Sequence, residues 1–190
     1  MKKLSTIILM SIALLAGACK ESSKKMEGDV VIEKNHESKK ENNSEYVLNK
    51  NAVSFKDKHV MPKLFDAYQM IAQDLVNDDF IEARKHVANL LQSVQDDEDS
   101  KWNRLKQVID SLSTTEDLNS FRVGFLDLSR IMESHLREEL TNGEIYKQYC
   151  PMAFNNKGAF WFASDEEIMN PYFGDAMLHC GEVRETIKAE

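Results

Sequence analysis

Four sulfur side chains lie close together near the C-terminus: Cys150, Met152, Met177 and Cys180. Two thiols and two thioethers make a soft donor set, which suits Cu(I) better than hard cations. Cys150 and Met152 would share a side if their segment is extended. Met177 and Cys180 would share a face if theirs is helical. Two such pairs meeting would give a trigonal or tetrahedral sulfur site, provided the tail folds back so that its ends converge. The ligands are thiolates, so affinity should fall at acid pH. His179 and His135 could each add an imidazole: His179 adjoins Cys180, and the helix carrying His135 leads toward Cys150. Two other readings stay open. In an oxidising compartment the two cysteines form a disulfide, with the methionines as packing. The thiols could also be buried separately.

Enzyme signatures are absent. There is no phosphate-binding glycine loop, no dinucleotide fingerprint after a strand and no paired-histidine zinc motif. A Cys150–His179 nucleophile pair would lack a visible orienting partner. The expectation is a non-enzymatic protein. The chain has 24 Lys and Arg against 32 Asp and Glu, a net charge of −8. Without a basic block it is a poor match for nucleic acid, where phosphate contacts need clustered cations.

The N-terminus reads as a targeting segment. Lys2 and Lys3 precede an apolar run from Leu4 to Leu15, then Ala16, Gly17, Ala18 and Cys19. That pattern is a secretory signal with a cysteine directly after the small residues. It is similar to a bacterial lipoprotein signal, which implies cleavage after residue 18 and acylation of Cys19. The protein would then sit in the cell envelope, held to a bacterial membrane by lipid. Residues 19–50 are rich in Lys, Glu, Ser and Asn, with equal numbers of Lys and acids from Lys20 on. Such a segment cannot bury enough surface to fold and reads as a disordered tether. Residues 51–190 remain as the folded part.

That part must supply the platform. Pro62 suits a first helical turn, and Leu64, Tyr68, Ile71 and Leu75 recur at helical spacing before Asn77-Asp78. Asp79 with Glu82 resembles a capping box for a second helix, with Phe80, Ala83, Val87, Leu90, Leu91 and Val94 inward. The acidic run Asp96–Asp99 ends it. Ser100 is placed as the cap of a third helix bearing Trp102, Leu105, Ile109 and Leu112. Ser113 and Glu116 are placed as the capping box of a fourth, which runs through Leu118, Phe121, Phe125, Leu128, Met132, Leu136 and Leu140 to Asn142-Gly143. Met61, Met70 and Met132 fit the buried stripes. Short connections imply antiparallel neighbours. The expected class is therefore mainly α: an antiparallel four-helix bundle with a small C-terminal cap, irregular or a β-hairpin.

In the cap, Ile145–Phe154 and Ala159–Ala163 flank Asn155-Asn156-Lys157-Gly158, a turn sequence that tolerates positive φ. Pro151 removes one ladder donor, so its strand is an edge or is interrupted. Ser164 with Glu167 suggests a short helical turn through Met169. Asn170-Pro171 and Gly174 mark further turns. Tyr149, Phe154, Phe160, Trp161, Phe162, Tyr172 and Phe173 are expected to cover the open end of the helices.

Cys150-Pro151-Met152-Ala153, Trp161, Asn170-Pro171-Tyr172-Phe173-Gly174, Met177-Leu178 and Cys180-Gly181 resemble a bacterial domain family of unassigned function. The family occurs as small envelope lipoproteins and fused to efflux adaptor proteins of the copper/silver type. The resemblance covers most of residues 59–187. The Cys-Pro-Met core is also similar to the Cys-Pro-Met-His motif of small heavy-metal-binding domains, with Ala153 at the histidine position. The resemblance implies handling of Cu(I) or Ag(I) in the envelope, with a heavy-metal efflux adaptor or pump as partner. The alternative is a structural or protein-interaction module with a Cys150–Cys180 disulfide and no metal.

Overall fold

The computed structural model describes residues 53–189. The expected signal peptide (1–18), Cys19 and the expected tether (19–50) lie outside the described residues. The elements in chain order are β1 (Ser54–Phe55), α1 (Met61–Val76), α2 (Phe80–Gln95), α3 (Asn103–Ser113), α4 (Leu118–Glu139), β2 (Leu140–Asn142), β3 (Glu144–Cys150), β4 (Ala159–Ala163) and β5 (Glu182–Lys188). The class is mainly α with a small antiparallel β cap.

Each helix begins where the chain can satisfy its first N–H groups. Pro62 stands in the first turn of α1, where a missing N–H costs nothing. The Asp79 carboxylate accepts from Glu82 N at 3.0 Å and opens α2. The third and fourth starts differ from expectation. Ser100–Trp102 is a 3₁₀ turn capped by Asp99, and α3 begins only at Asn103. Asp117, not Ser113, caps α4, accepting from Ser120 N at 3.0 Å. A carboxylate won over a hydroxyl at both ends, since its charge also suits the positive end of the helix dipole.

α1 packs on α2, α2 on α3 and α3 on α4. α1 also meets α4 in the interior, where the Tyr68 hydroxyl bonds Ser129 Oγ at 2.7 Å and its ring stacks on Phe125 at 5.0 Å. The core is one contiguous cluster that includes Leu64, Ile71, Leu90, Trp102, Leu105, Phe121, Met132 and Trp161. Met61 and Met132 are buried as expected, but Met70 is exposed. It falls on the margin of the α1 stripe and lines an open groove with Lys63 and Asp66 of α1 and Asn89 and Gln92 of α2.

α4 ends at Glu139, short of the expected Asn142-Gly143. Leu140–Asn142 leaves the helix to pair with β1. Gly143 (φ 86) then turns the chain into β3, a left-handed conformation that glycine adopts at little cost. β3 is the centre of a three-stranded antiparallel sheet, ordered β4-β3-β5. Of the two expectations for Pro151, the interruption is what forms: β3 is central and ends at Cys150, one residue before the proline, where no ladder donor is needed. The segment after Met169 was expected to follow a helical turn, but residues 165–167 form a bend with Asp165 Oδ1 accepting from Glu167 N at 2.9 Å.

Two buried amide side chains brace the cap, one against the helices and one within the cap itself. Gln69 of α1 donates from Nε2 to Phe162 O at 2.8 Å. Gln148, fully buried in β3, donates to Asp165 O at 2.8 Å and Glu167 O at 3.0 Å. A third tie is Arg122, almost completely buried in α4. It donates to Pro171 O at 2.9 Å, Leu75 O at 3.0 Å and Asp78 Oδ1 at 2.5 Å. Asp78 itself has positive φ, and a Cβ on Gly174 would come within 2.5 Å of its carboxylate. The described residues fall in one compact unit. No helix among them is long and apolar enough to cross a membrane.

Candidate metal centre

Cys150 is the last residue of β3, and Cys180 lies two residues before β5. Because β5 pairs antiparallel with β3, with Tyr149 opposite Glu182, the end of one strand meets the start of the other. The two Sγ atoms stand 3.4 Å apart, with both thiols free. Cys150 is fully buried and Cys180 is partly exposed. The hydrogen bond shared with Cys150 raises the Cys180 thiol above its usual pKa; desolvation and the charge of Cys150 push the same way. Cys180 therefore holds its proton at neutral pH, and a metal must displace it to bind.

Several contacts hold Cys180 at that place. Asn170 is fully buried. Its Nδ2 donates to Cys180 O at 2.9 Å, its Oδ1 accepts from Tyr172 N at 2.9 Å, and its backbone N–H donates to Leu178 O at 2.8 Å. Cys180 N donates to Met177 O at 3.0 Å. Gly181, at φ +155, is boxed in by Tyr149 O, Ile168 and Trp161. Asn170 was read from sequence only as part of a turn. The Asx hydrogen bond to Tyr172 is what Asn-Pro signals; its grip on the far side of the loop has no local signature. Replacing Asn170 with Ala should cost about 2–3 kcal/mol, because Cys180 O and Tyr172 N lose their partner in a buried setting. Urea unfolding of the variant measures that loss.

The methionines take a different place. Met152 and Met177 line one open groove of about 740 Å³, together with Val123, Phe154, Tyr172 and Phe173. Met152 is 44 % exposed. The extended Cys150–Met152 segment and the helical Met177–Cys180 segment assumed from spacing are not what forms. β3 ends at Cys150, so Met152 belongs to the turn, and the 3₁₀ segment Gly174–Met177 stops before Cys180. The structure brings the two thiols into contact and the two thioethers to a common groove.

The turn after Met152 is unusual. Phe154, Asn155 and Asn156 all have positive φ, at 52°, 58° and 65°. Asn tolerates that conformation, whereas Phe seldom does. The bend swings the Phe154 ring onto Tyr172 at 5.4 Å. Gly158 then closes the turn with φ 77 and its N–H on Ala153 O at 3.0 Å. A Cβ there would overlap the Tyr149 hydroxyl. Among the expected aromatics, Trp161, Phe162 and Tyr172 are buried, and Tyr172 donates to Phe160 O at 2.6 Å.

The imidazoles separate. His179 is exposed, and its Nδ1 bonds Ile168 O at 2.9 Å. A carbonyl can only accept, so Nδ1 donates in this contact. His135 packs on Trp102, ring centroids 4.7 Å apart, in a pocket with Lys101 and Arg130. That pocket is not the methionine groove.

The donor set fits a soft cation. No group of three or more His, Cys, Asp and Glu that could hold a metal ion occurs among the described residues. A closed zinc site needs four such ligands. Two thiols in contact suit instead an ion content with two thiolates, or with two thiolates and one further soft donor. Comparison of the chain with family models, curated proteins and solved structures gives no match.

Proposed function

We propose that this chain is a lipid-anchored protein of the bacterial cell envelope that binds Cu(I) or Ag(I) through Cys150 and Cys180 and passes it on. The observation that carries this reading is the 3.4 Å contact between two free thiols. Strand pairing holds it together, and Met152 and Met177 share a groove in the same cap. The metal is cargo rather than a resident cofactor, and the protein performs no catalysis. Its place is heavy-metal homeostasis or efflux, with an efflux adaptor or pump as partner, as the resemblance of the cap sequence implies. Lipid on Cys19 and the tether that follows would keep the domain within reach of the membrane. The four long helices act in this reading as an antiparallel bundle, a platform that keeps the cap rigid.

A disulfide is the competing state, favoured by the same contact. An S–S bond is about 2.05 Å long, so closing it would move the sulfurs by little more than 1 Å. Thiol counting on the full chain separates the two. Purified in air, the metal-binding form yields two reactive thiols after unfolding, apart from Cys19, and one equivalent of Cu(I) protects both from a thiol reagent. A chain that yields none, and that takes up no Cu(I) after reduction, is the structural module instead.

A further inference from the structure

Far along α4 from Arg122, a second pocket has a different chemistry. It is lined by Lys101, Arg104, Arg130, Ile131, Ser134 and His135 and has a volume of about 330 Å³. The chain carries more acids than bases, yet three cations and no acid line this hollow. Like charges gathered around one space repel each other unless an anion offsets them.

Their existing partners leave much of that charge unspent. Arg104 has no ion pair among the described residues. Lys101 faces Asp99 and Glu139, each at 3.8 Å, and lies 4.8 Å from the centre of the Trp102 ring. Arg130 alone has a close carboxylate, Asp127 at 2.6 Å. The floor is drier. Ile131 and His135 are each 9 % exposed. The ring nitrogens of His135 have no hydrogen-bond partner among the described residues. Burial is the main influence lowering the His135 pKa; Glu138 and Glu139 oppose it, and the charge of Lys101 adds to it.

We propose that this pocket binds a phosphate ester, with Lys101, Arg104 and Arg130 around the oxyanion and its organic part against Ile131 and His135. Two guanidinium forks match phosphate oxygens better than point charges do. The volume is at the lower end of the range for small-molecule sites, room for a small ester. His135 adds a neutral imidazole N–H donor where a fourth cation would be costly. The site is independent of the sulfur cap. A soluble ester and a phospholipid headgroup offer the same chemistry.

The test follows His135 imidazole resonances by NMR in the full chain, at constant ionic strength. One arm adds glycerol 3-phosphate. The other adds phosphatidylcholine vesicles with and without phosphatidylglycerol. Saturable shifts are expected, with the His135 pKa moving up when ligand binds, because added negative charge favours the imidazolium. Arg104→Gln combined with Arg130→Gln should weaken binding roughly tenfold or more, while circular dichroism stays unchanged. Response to the soluble ester identifies a free metabolite class; response only to anionic vesicles identifies a headgroup. No saturable shift in either arm, or equal binding by the double variant, overturns the proposal.

Discussion

Replacing either Cys150 or Cys180 with Ser should weaken Cu(I) binding at least about a hundredfold, as read by competition with a chromophoric Cu(I) chelator. A hydroxyl is a hard, weakly acidic donor, and losing even an outer-shell partner of a metal site costs 10–100-fold. The two variants should fall by similar amounts, because one thiolate cannot chelate. Met152→Leu and Met177→Leu should cost much less, since those side chains face the groove rather than the thiol contact. Binding should also depend steeply on pH. The Cys180 thiol is raised above its usual pKa. Below that value the Cys180 thiol is protonated, and metal binding must release its proton. Affinity then rises with pH by up to about tenfold per unit from this group, and levels off once it is ionised. Equal affinity in wild type and both serine variants would remove the sulfur site.

The largest stability effect should come from Arg122→Met. Arg122 ties three elements that are far apart in sequence: the end of α1, α4 and the cap at Pro171. Removing the guanidinium strands two carbonyls and one carboxylate. Taking one partner from a buried ionic network costs about 3–5 kcal/mol; Asp78 is half exposed, so about 3 kcal/mol is expected. For a domain of this size that lowers Tm by roughly 10 °C. Asp78→Asn should cost far less, because water can take over the exposed side of the pair. A melting curve for Arg122→Met that overlays wild type would show that the tie is not used.

The helices were legible because their signals are local. The stripes Leu64–Leu75, Phe80–Val94 and Phe121–Leu136 appear at the expected faces, and three of the breaks fall within a few residues of their markers. The misplaced caps, Ser100 and Ser113, were neighbours of stronger carboxylate caps. β5 was missed because its polar sequence, Glu-Val-Arg-Glu-Thr-Ile-Lys, buries only Ile187 well. A strand with one face on the core normally alternates apolar and polar residues, and β5, exposed over most of its length, does not. The cysteine contact depends on that unseen strand, so spacing alone could name the two thiols but not bring them together. The two methionines were placed by sequence proximity, but β3 ends at Cys150, so Met152 already belongs to the chain reversal that the turn at residues 155–158 completes.

Strand pairing also fixes what the sulfur pair costs to use. Most flexible chelators spend free energy freezing their donors before the ion arrives. Here β3 and β5 have done so during folding, with Tyr149 registered on Glu182 beside the two sulfurs. In the proposed role the C-terminal strand would thus act as a clasp on the jaws that hold the ion. Anything that peels it away, a docking protein included, would spring one jaw open and let the cargo go without touching a ligand.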